Sequence, residues 1–446
     1  MPKGLIVAAP SSNSGKTFVT LGCLHALKRR GIDVASAKVG PDYIDPAFHA
    51  AATRRLCPNL DGWAMRDDTL SSILEHHLRA DLIVCEGVMG LFDGATLPAG
   101  NHSTKDGSPA DIARRTGWPV VLVIDASAQA ASAAALIHGF ASFDPNVQIK
   151  GVIFNKVGGP GHIQLLKNAC DKYLPEIDIL GFIPRQTELA LPERHLGLVL
   201  AGEHPELDKF LDQSADFLEE HLDLNKLYQL GTPSRISSPQ NKSSFFNPIG
   251  QRIAIAKDIA FAFAYPALLD HWHECGAELS FFSPLEDETP DQLCDAIYLP
   301  GGYPELHGAK LSANRNFLGA LRAYHDIGTT IFGECGGYMT LGRGLIDKDG
   351  TRHKMAGILN LETSFAKRKL HLGYREIKVL QDLPFLKKGT ILRGHEFHYA
   401  SILQEHGTRP FSAQNASGIP IGKMGLINGN CVASFFHMID IHKNIN

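Results

Sequence analysis

The chain has 446 residues, 44% hydrophobic and 20% charged, with 43 basic against 47 acidic side chains and a net charge of -4. At roughly 100–200 residues per domain, this length suggests two to four domains, each large enough to bury a core. The charge balance excludes the basic footprint of a nucleic-acid or membrane-surface binder, and eight scattered cysteines with no C-x-x-C pair exclude a disulfide framework or a zinc ribbon.

The first stretch, MPKGLIVAAPSSNSGKT, runs from a short apolar segment straight into Gly-Lys-Thr. A signal peptide would need a longer apolar region and a cleavage site. GLIVAAP predicts a strand, and GKTFVTLGCLHALKRRG a helix ending at Gly31. DVASAKVG, DLIVCEGVMG, VVLVIDAS, IKGVIFNKVG and IDILGFIP predict five more strands. Val and Ile recur in them without alternation, which suits strands covered on both faces, as in a parallel α/β sheet. The apolar stretch from Val120 to Phe140 is interrupted by Asp125, Gln129 and His138, so it reads as a buried strand followed by an Ala-rich helix, not a membrane span. The expectation is a cytoplasmic protein with no membrane or nucleic-acid partner.

SSNSGKT, Ser11 to Thr17, follows a predicted strand and opens a predicted helix. That is the setting of a phosphate loop, in which backbone N–H groups and the helix N-terminus face the anion. Ser14, Gly15 and Lys16 are candidate ATP contacts, and the Thr17 hydroxyl is a candidate Mg²⁺ ligand. The match to G-x-x-x-x-G-K-[ST] is imperfect, because Pro10 stands where the first Gly belongs; the loop reads as one residue longer, from Ala9. AKVGPDYIDPAF supplies Lys38, Asp42 and Asp45 at the end of the second strand, and CEGVMGLFDG supplies Glu86 and Asp93 at the end of the third. Ligands of open α/β sheets bind at the carboxyl ends of strands, and Mg²⁺ takes one or two carboxylates plus phosphates. Thr17, Asp42 and Glu86 are therefore the candidate metal ligands, and Lys16 and Lys38 the candidate phosphate contacts. The competing reading of PDYIDP is a plain turn or helix cap.

From about Asn225 to Gly250 the character changes, and GTPSRISSPQNKSSFFNPIG reads as a linker. A second α/β series follows in RIAIAKD, ELSFFSP, DAIYLPGG and TTIFGECGG, then shorter strands KMAGIL, YREIKVL and CVASFFH. The expected division is residues 1–230, a linker at 231–250, and residues 251–446. TTIFGECGGYM has the strand, tight turn and following helix of a nucleophile elbow, with Gly333, Cys335 and Gly337 meeting G-x-C-x-G. A helix N-terminus lowers a thiol pKa, and nearby N–H groups hold an oxyanion. Gly336 at the elbow and Gly302 in YLPGGYPEL are the candidate oxyanion donors. A thiol needs a base. His437 in CVASFFHMID is the first choice, with His395 and His398 of RGHEFHYA as competitors. In LDHWHECG only His271 and Cys275 share a helix face, so a metal site there is not expected.

These motifs, in this order and over nearly the whole length, resemble the cobyrinic acid a,c-diamide synthase family. The resemblance rests on APSSNSGKT, KVGPDYIDPAFH, EGVMGLFDG, FNKVGGPGH, LPERHLGL, IAIAKDIAFAFAYP, YLPGGYPELH, GECGGYM, LGYR and GHEFHY. It implies an N-terminal P-loop-type, mostly parallel domain similar to dethiobiotin synthetase and a C-terminal glutamine amidotransferase α/β domain of the cysteine type. It implies that Cys335 takes the side-chain amide of L-glutamine, that ATP with Mg²⁺ activates a tetrapyrrole carboxylate as an acyl phosphate, and that ammonia displaces the phosphate, twice. It places Asp45 in substrate activation and Asn155 at adenine. The same motifs serve hydrogenobyrinic acid and nickel sirohydrochlorin as alternative substrates, and a homodimer is one assembly the resemblance allows. The chain departs from the family after His437: Ile439 stands where the family usually has a second His and ordinary triad amidotransferases a Glu. A Cys–His dyad, or Asp440 as substitute acid, are the alternatives. A binding module with a dead C-terminal domain is the reading from another class. GHEFHY reads equally as a lining of the face where the domains meet or as a strand of alternating core and surface residues.

Overall fold

In the N-terminal part the apolar runs become β1 (Lys3–Ala8), β2 (Val34–Val39), β3 (Leu82–Glu86), β4 (Val120–Asp125), β5 (Ile149–Val157) and β6 (Asp178–Pro184). Together with the two-residue strand Asn59–Leu60 they form one sheet in the order Asn59–Leu60, β2, β3, β1, β4, β5, β6, with every pairing along that path parallel. Thr232–Pro233 adds an antiparallel contact to β1. The β1–β4 strands are buried over almost their full length, as unalternating Val/Ile runs require. Strand order reverses around β1, so its following loop opens at a topological switch point, flanked by the loops after β3 and β4. Helix α1 (Lys16–Arg29) leaves that loop, and α2 (Asp45–Thr53) follows β2. The computed structural model describes residues 3–100, 103–186, 189, 193–194, 197–236 and 245–443. The middle of the expected linker and half of LPERHLGL lie outside the described residues.

The chain packs into two units: residues 1–63, 70–95 and 102–242, and residues 64–69, 96–101 and 243–446. The second unit has its own mostly parallel sheet. Its strands are β7 (Arg252–Ala256), β8 (Glu278–Phe282), β9 (Ala296–Leu299), β10 (Thr330–Glu334), β15 (Leu426–Asn428) and β16 (Cys431–Ser434), in the order β8, β7, β9, β10, β16, β15. Only the β15–β16 pairing is antiparallel. Between β10 and β15 the chain makes an antiparallel sheet from β11 (His371–Val379), β12 (Ile391–His398), β13 (Phe411–Asn415) and β14 (Pro420–Met424), closed by β17 (Phe436–Lys443) beside β12. GHEFHY thus supplies the end of β12, and burial along β12 is irregular, not alternating.

KMAGIL is not a strand. The short strand Arg352–Lys354 ends at its first residue. The rest crosses the C-terminal end of helix α3 (Gly336–Leu341), where the Ala356 and Leu359 N–H groups donate to Thr340 and Leu341 carbonyls at 3.0 and 2.9 Å. Met355, Ala356 and Leu359 are buried by that packing, so the apolar run answers a helix end, not a ladder. Among the described residues no helix is long and apolar enough to cross a membrane.

Candidate active site

The loop after β1 is held from below. The Asn155 side-chain amide at the end of β5 donates to the Ser14 carbonyl at 2.9 Å, and its oxygen accepts from the Lys156 N–H at 2.9 Å. Gly15 has φ +90°, and a Cβ there would collide with the Asn155 amide, so backbone conformation and close approach both require glycine. The Ser14 hydroxyl donates to the Ser11 carbonyl at 3.0 Å. Lys16 opens α1 and reaches back, donating to the Met89 and Ser11 carbonyls at 2.6 and 3.2 Å. Burial lowers its pKa to about 8. A buried ammonium resting on carbonyls at a helix N-terminus favours an anion.

Beside it lies a compact charge cluster. Glu86 at the end of β3 accepts from the Thr17 hydroxyl at 2.6 Å and from the Lys38 ammonium at 2.8 Å through one oxygen, and contacts His49 Nε2 at 2.7 Å through the other. Lys38 also donates to Asp45 at 2.5 Å, and Thr17 reaches Asp45 at 3.4 Å. Burial alone would raise Glu86, but Lys38 and His49 outweigh it and hold its carboxyl well below the usual range. Burial disfavours a charged Lys38, yet Asp45 and Glu86 hold its pKa well above normal. Burial and then Asp42 push Asp45 upward. The cluster is a set of charges closed on one another, as buried ions require.

Asp42 stands one step out: its nearer oxygen lies 3.9 Å from Lys38, while the other accepts from the Ile44 and Asp45 N–H groups at 2.8 and 3.0 Å. The turn-capping reading therefore describes its contacts, and Asp45 is the carboxylate that meets Thr17. The hydroxyl of Thr17 and the carboxylates of Asp45 and Glu86 are hard oxygen donors. With substrate phosphates they fit Mg²⁺, which seldom takes an all-protein cage. Among the described residues no group of three or more His, Cys, Asp or Glu is placed to hold a metal ion by itself.

In the second unit, β10 runs into Cys335, which has φ 47° and ψ -98° and immediately precedes α3. Such a strained non-glycine conformation at a strand–helix junction is what a nucleophile elbow stores. The Cys335 N–H donates to the Ser434 carbonyl at 2.8 Å, which ties the elbow to β16. A Cβ on Gly336 would lie 3.0 Å from the Gly302 nitrogen, so these two backbone segments close on each other beside the thiol. Burial and then Glu305 push the Cys335 thiol up, out of the range in which it ionises unaided, while the Gly336 N–H works in the opposite direction. The other buried cysteines lack this backbone setting.

His437, at the start of β17, is fully buried and pairs in the ladder with His395. Their rings meet edge to face, with centroids 4.8 Å apart. Gly301 lies against it, where a Cβ would collide with the imidazole Cε1. Burial, and then His395 and His398, drive the His437 pKa well below normal, so it rests as a neutral imidazole able to take a proton. Of the competitors, His398 stacks on Phe435 at 3.8 Å and contacts the Ala400 carbonyl at 3.1 Å, and His395 is the ring that meets His437 edge to face.

Asp440, one alternative for the acid, is engaged elsewhere. It pairs with Arg393, two positions along β12 from the partner of His437, or roughly 7 Å away at strand spacing. Its carboxylate is engaged by Thr69 at 2.6 Å and by the Arg66 guanidinium at 2.8 Å. The acid beside His437 is Glu334, the residue before Cys335. One oxygen lies 4.0 Å from His437 Nδ1 and accepts from the Tyr298 hydroxyl at 2.7 Å; the other accepts from the Met438 N–H at 2.8 Å. The sequence reading missed Glu334 and His49. Glu334 adjoins Cys335 in GECGG, and His49 follows Asp45 by one helical turn, so adjacency was the available signal in both cases.

Comparison with known proteins matches both units. The CobQ/CobB/MinD/ParA nucleotide binding domain family matches residues 5–199, and the CobB/CobQ-like glutamine amidotransferase domain family matches residues 252–444. The chain is 49% identical to the hydrogenobyrinate a,c-diamide synthase of Brucella anthropi over 98% of both chains. It is 46% identical to proteins of the same name from a Sinorhizobium species and Rhodobacter capsulatus, over 98% of this chain and 99% of theirs.

Proposed function

The chain belongs to the hydrogenobyrinate a,c-diamide synthase family, and from that premise we propose how its two units divide one reaction. The enzyme uses ATP and glutamine to convert the a and c carboxylates of a corrin-type tetrapyrrole into amides. A carboxylate is a poor electrophile and ammonia is scarce as a free base at neutral pH, so the chemistry needs two sites.

In the amidotransferase unit, His437 takes the Cys335 thiol proton as sulfur attacks the side-chain carbonyl carbon of glutamine. The N–H groups of Gly336 and Gly302 hold the oxyanion. The imidazolium then returns its proton to the leaving nitrogen. Ammonia departs, a thioester remains, and water attacking with His437 as base frees glutamate and the thiol. In the nucleotide unit, the loop Ser11–Thr17 and Lys16 hold the ATP phosphates, with Lys38 as a further cation. Asn155 holds the loop through Ser14, and the adenine contact implied for it would be additional. Thr17, Glu86 and Asp45 would hold Mg²⁺, with Asp42 supporting from the turn; the ion would neutralise charge on the transferring phosphoryl group. Asp45, between Thr17 and Lys38, also suits the activation step. The carboxylate of the tetrapyrrole attacks the γ-phosphorus as ADP leaves, giving an acyl phosphate; ammonia then adds to its carbonyl carbon, loses a proton and expels phosphate to give the amide.

The pairing, in one chain, of the strained Cys335 elbow with the loop–Glu86 cluster carries this reading. The relatives' names favour the metal-free ring over cobyrinic acid as substrate; the amidation chemistry is the same for both. The test is mass spectrometry of products after incubation with MgATP, glutamine and each ring in turn. The expected result is two successive exchanges of hydroxyl for amino group, faster on hydrogenobyrinate. An unchanged ring in both incubations would overturn the reading.

A further inference from the structure

Resting on the amidotransferase reading above, we propose that Glu334 is the positioning acid of the glutamine site: its carboxylate orients the imidazole of His437 through Nδ1 and balances the positive charge that ring acquires. The place where triad enzymes carry an acid, two residues after the histidine, is here Ile439, a buried aliphatic side chain. Asp440 is committed to Arg66 and Thr69. Glu396 is committed to Arg375 at 2.6 Å and contacts His398 at 3.4 Å. Glu334 alone of these acids lies at the Nδ1 side of His437, at 4.0 Å.

The position follows from the fold. Cys335 is tied to Ser434 by a backbone bond, and Glu334 is tied to Met438 through its own side chain. These two bonds bracket His437, so the nucleophile strand and the base strand are held in register at both sides of the imidazole. The Tyr298 hydroxyl fixes the oxygen that faces Nδ1. Both side chains are essentially fully buried, which keeps water from competing for either. Contacts of this kind are commonly long before substrate is bound and tighten in the reacting complex.

The proton balance is simple. With Nδ1–H directed at Glu334, the neutral ring carries its basic lone pair on Nε2, which takes the thiol proton. When Cys335 gives up that proton, imidazolium forms beside a carboxylate, and the same proton leaves from Nε2 to the departing nitrogen. Glu334 itself neither gains nor loses a proton in the cycle. Its carboxyl is faced by Tyr298 from β9 and by His437 and the Met438 N–H from β17; His437 is faced further by His395 and His398 from β12, and the thiol by Glu305 and Glu396. Burial raises the Glu334 carboxyl to about 8, against the Met438 and Tyr298 bonds that favour its ionised form. A limb rising with pH near that value is thus expected in the glutamine-dependent rate.

The experiment compares Glu334→Gln, Tyr298→Phe and the parent enzyme in steady-state amidation, with glutamine or with ammonium as nitrogen source. Gln is isosteric and still accepts from Met438. Expected for Glu334→Gln is a fall in glutamine-dependent kcat on the order of 10²-fold, with KM for glutamine little changed, the limb near pH 8 lost, and ammonium-driven amidation kept. Tyr298→Phe should lose much less. A Glu334→Gln kcat within about threefold of the parent, or an equal loss in Tyr298→Phe, would overturn the proposal, because the carboxylate would then be only a structural tie. Cys335→Ala run alongside separates the two failures: continued glutamine use by that variant would sink the amidotransferase reading itself.

Discussion

At the phosphate loop, Lys38 is closed in by Asp45 and Glu86, and Glu86 is shared with Thr17 and His49. Around Cys335 the reacting pair is instead held neutral, the thiol pushed up by burial and the His437 imidazole down, with Glu334, whose carboxyl burial also raises, as the acid proposed to balance the imidazolium. Both sites lie at the carboxyl ends of parallel strands, and both are buried, so depth and fold class do not explain the difference. The chemistry does. A site that takes polyanionic phosphate and a divalent cation must carry permanent charge, with a partner for each ion. A site that makes ammonia needs charge on its nucleophile and base only at the moment of attack, and strained backbone with converging N–H groups can wait for it.

The comparison breaks most visibly at Glu86. Glu86→Gln leaves Lys38 and His49 buried beside a neutral amide, and removing one partner of such a pair costs about 3–5 kcal/mol. The expected outcome is a clear drop in denaturation midpoint and loss of amidation with either nitrogen source. Cys335 in the folded protein should still be alkylated by a chloroketone analogue of glutamine. If Glu86→Gln loses only glutamine-dependent activity, the two sites are not separate in the way described.

Gly301→Ala sharpens the other side. The added methyl collides with the His437 ring, and misplacing a catalytic group by about 1 Å costs on the order of 10²-fold. Glutamine-dependent kcat should fall by that order while ammonium-driven kcat holds. Equal loss in both assays would mean that the loop supports the whole fold and does not merely seat the base.

The smallest expected effect is a slope. Glu334 has a folded pKa of about 8 against an ordinary 4.5, so between those values the unfolded chain binds fewer protons than the folded one. Its contribution to folding stability therefore declines as pH rises through that window. Denaturation midpoints measured across it should decline less steeply in Glu334→Gln than in the parent. Parallel curves would show that the buried carboxyl is ionised throughout.

Much of this was legible from sequence where the determinant is local. The phosphate loop is a strand, a glycine and a helix start in continuous chain, and so is the elbow at Cys335. Lys38 and Glu86 could be placed together because adjacent parallel strands end at one sheet edge. Side-chain direction was not legible. Asp42 and Asp45 lie three residues apart on one turn, and only the start of α2 decides which faces Thr17 and which caps the turn. Asp440 looked like a substitute acid because it follows His437 closely in the chain, yet Arg66 and Thr69, more than 370 positions away, engage it. Glu334 was visible as the neighbour of the nucleophile, but its partners Tyr298 and Met438 come from two other strands. KMAGIL misled because apolar spacing reports burial without naming the surface that buries it.

The most direct test of the division between the two sites is isotopic. Cys335→Ala and the parent enzyme are each given MgATP, hydrogenobyrinate, glutamine labelled with ¹⁵N at the side-chain amide, and unlabelled ammonium at high concentration. The account predicts ¹⁵N in the parent's diamide and an unlabelled diamide, formed at a comparable ammonium-driven rate, from Cys335→Ala. Labelled product from Cys335→Ala, or no product at all, would contradict it.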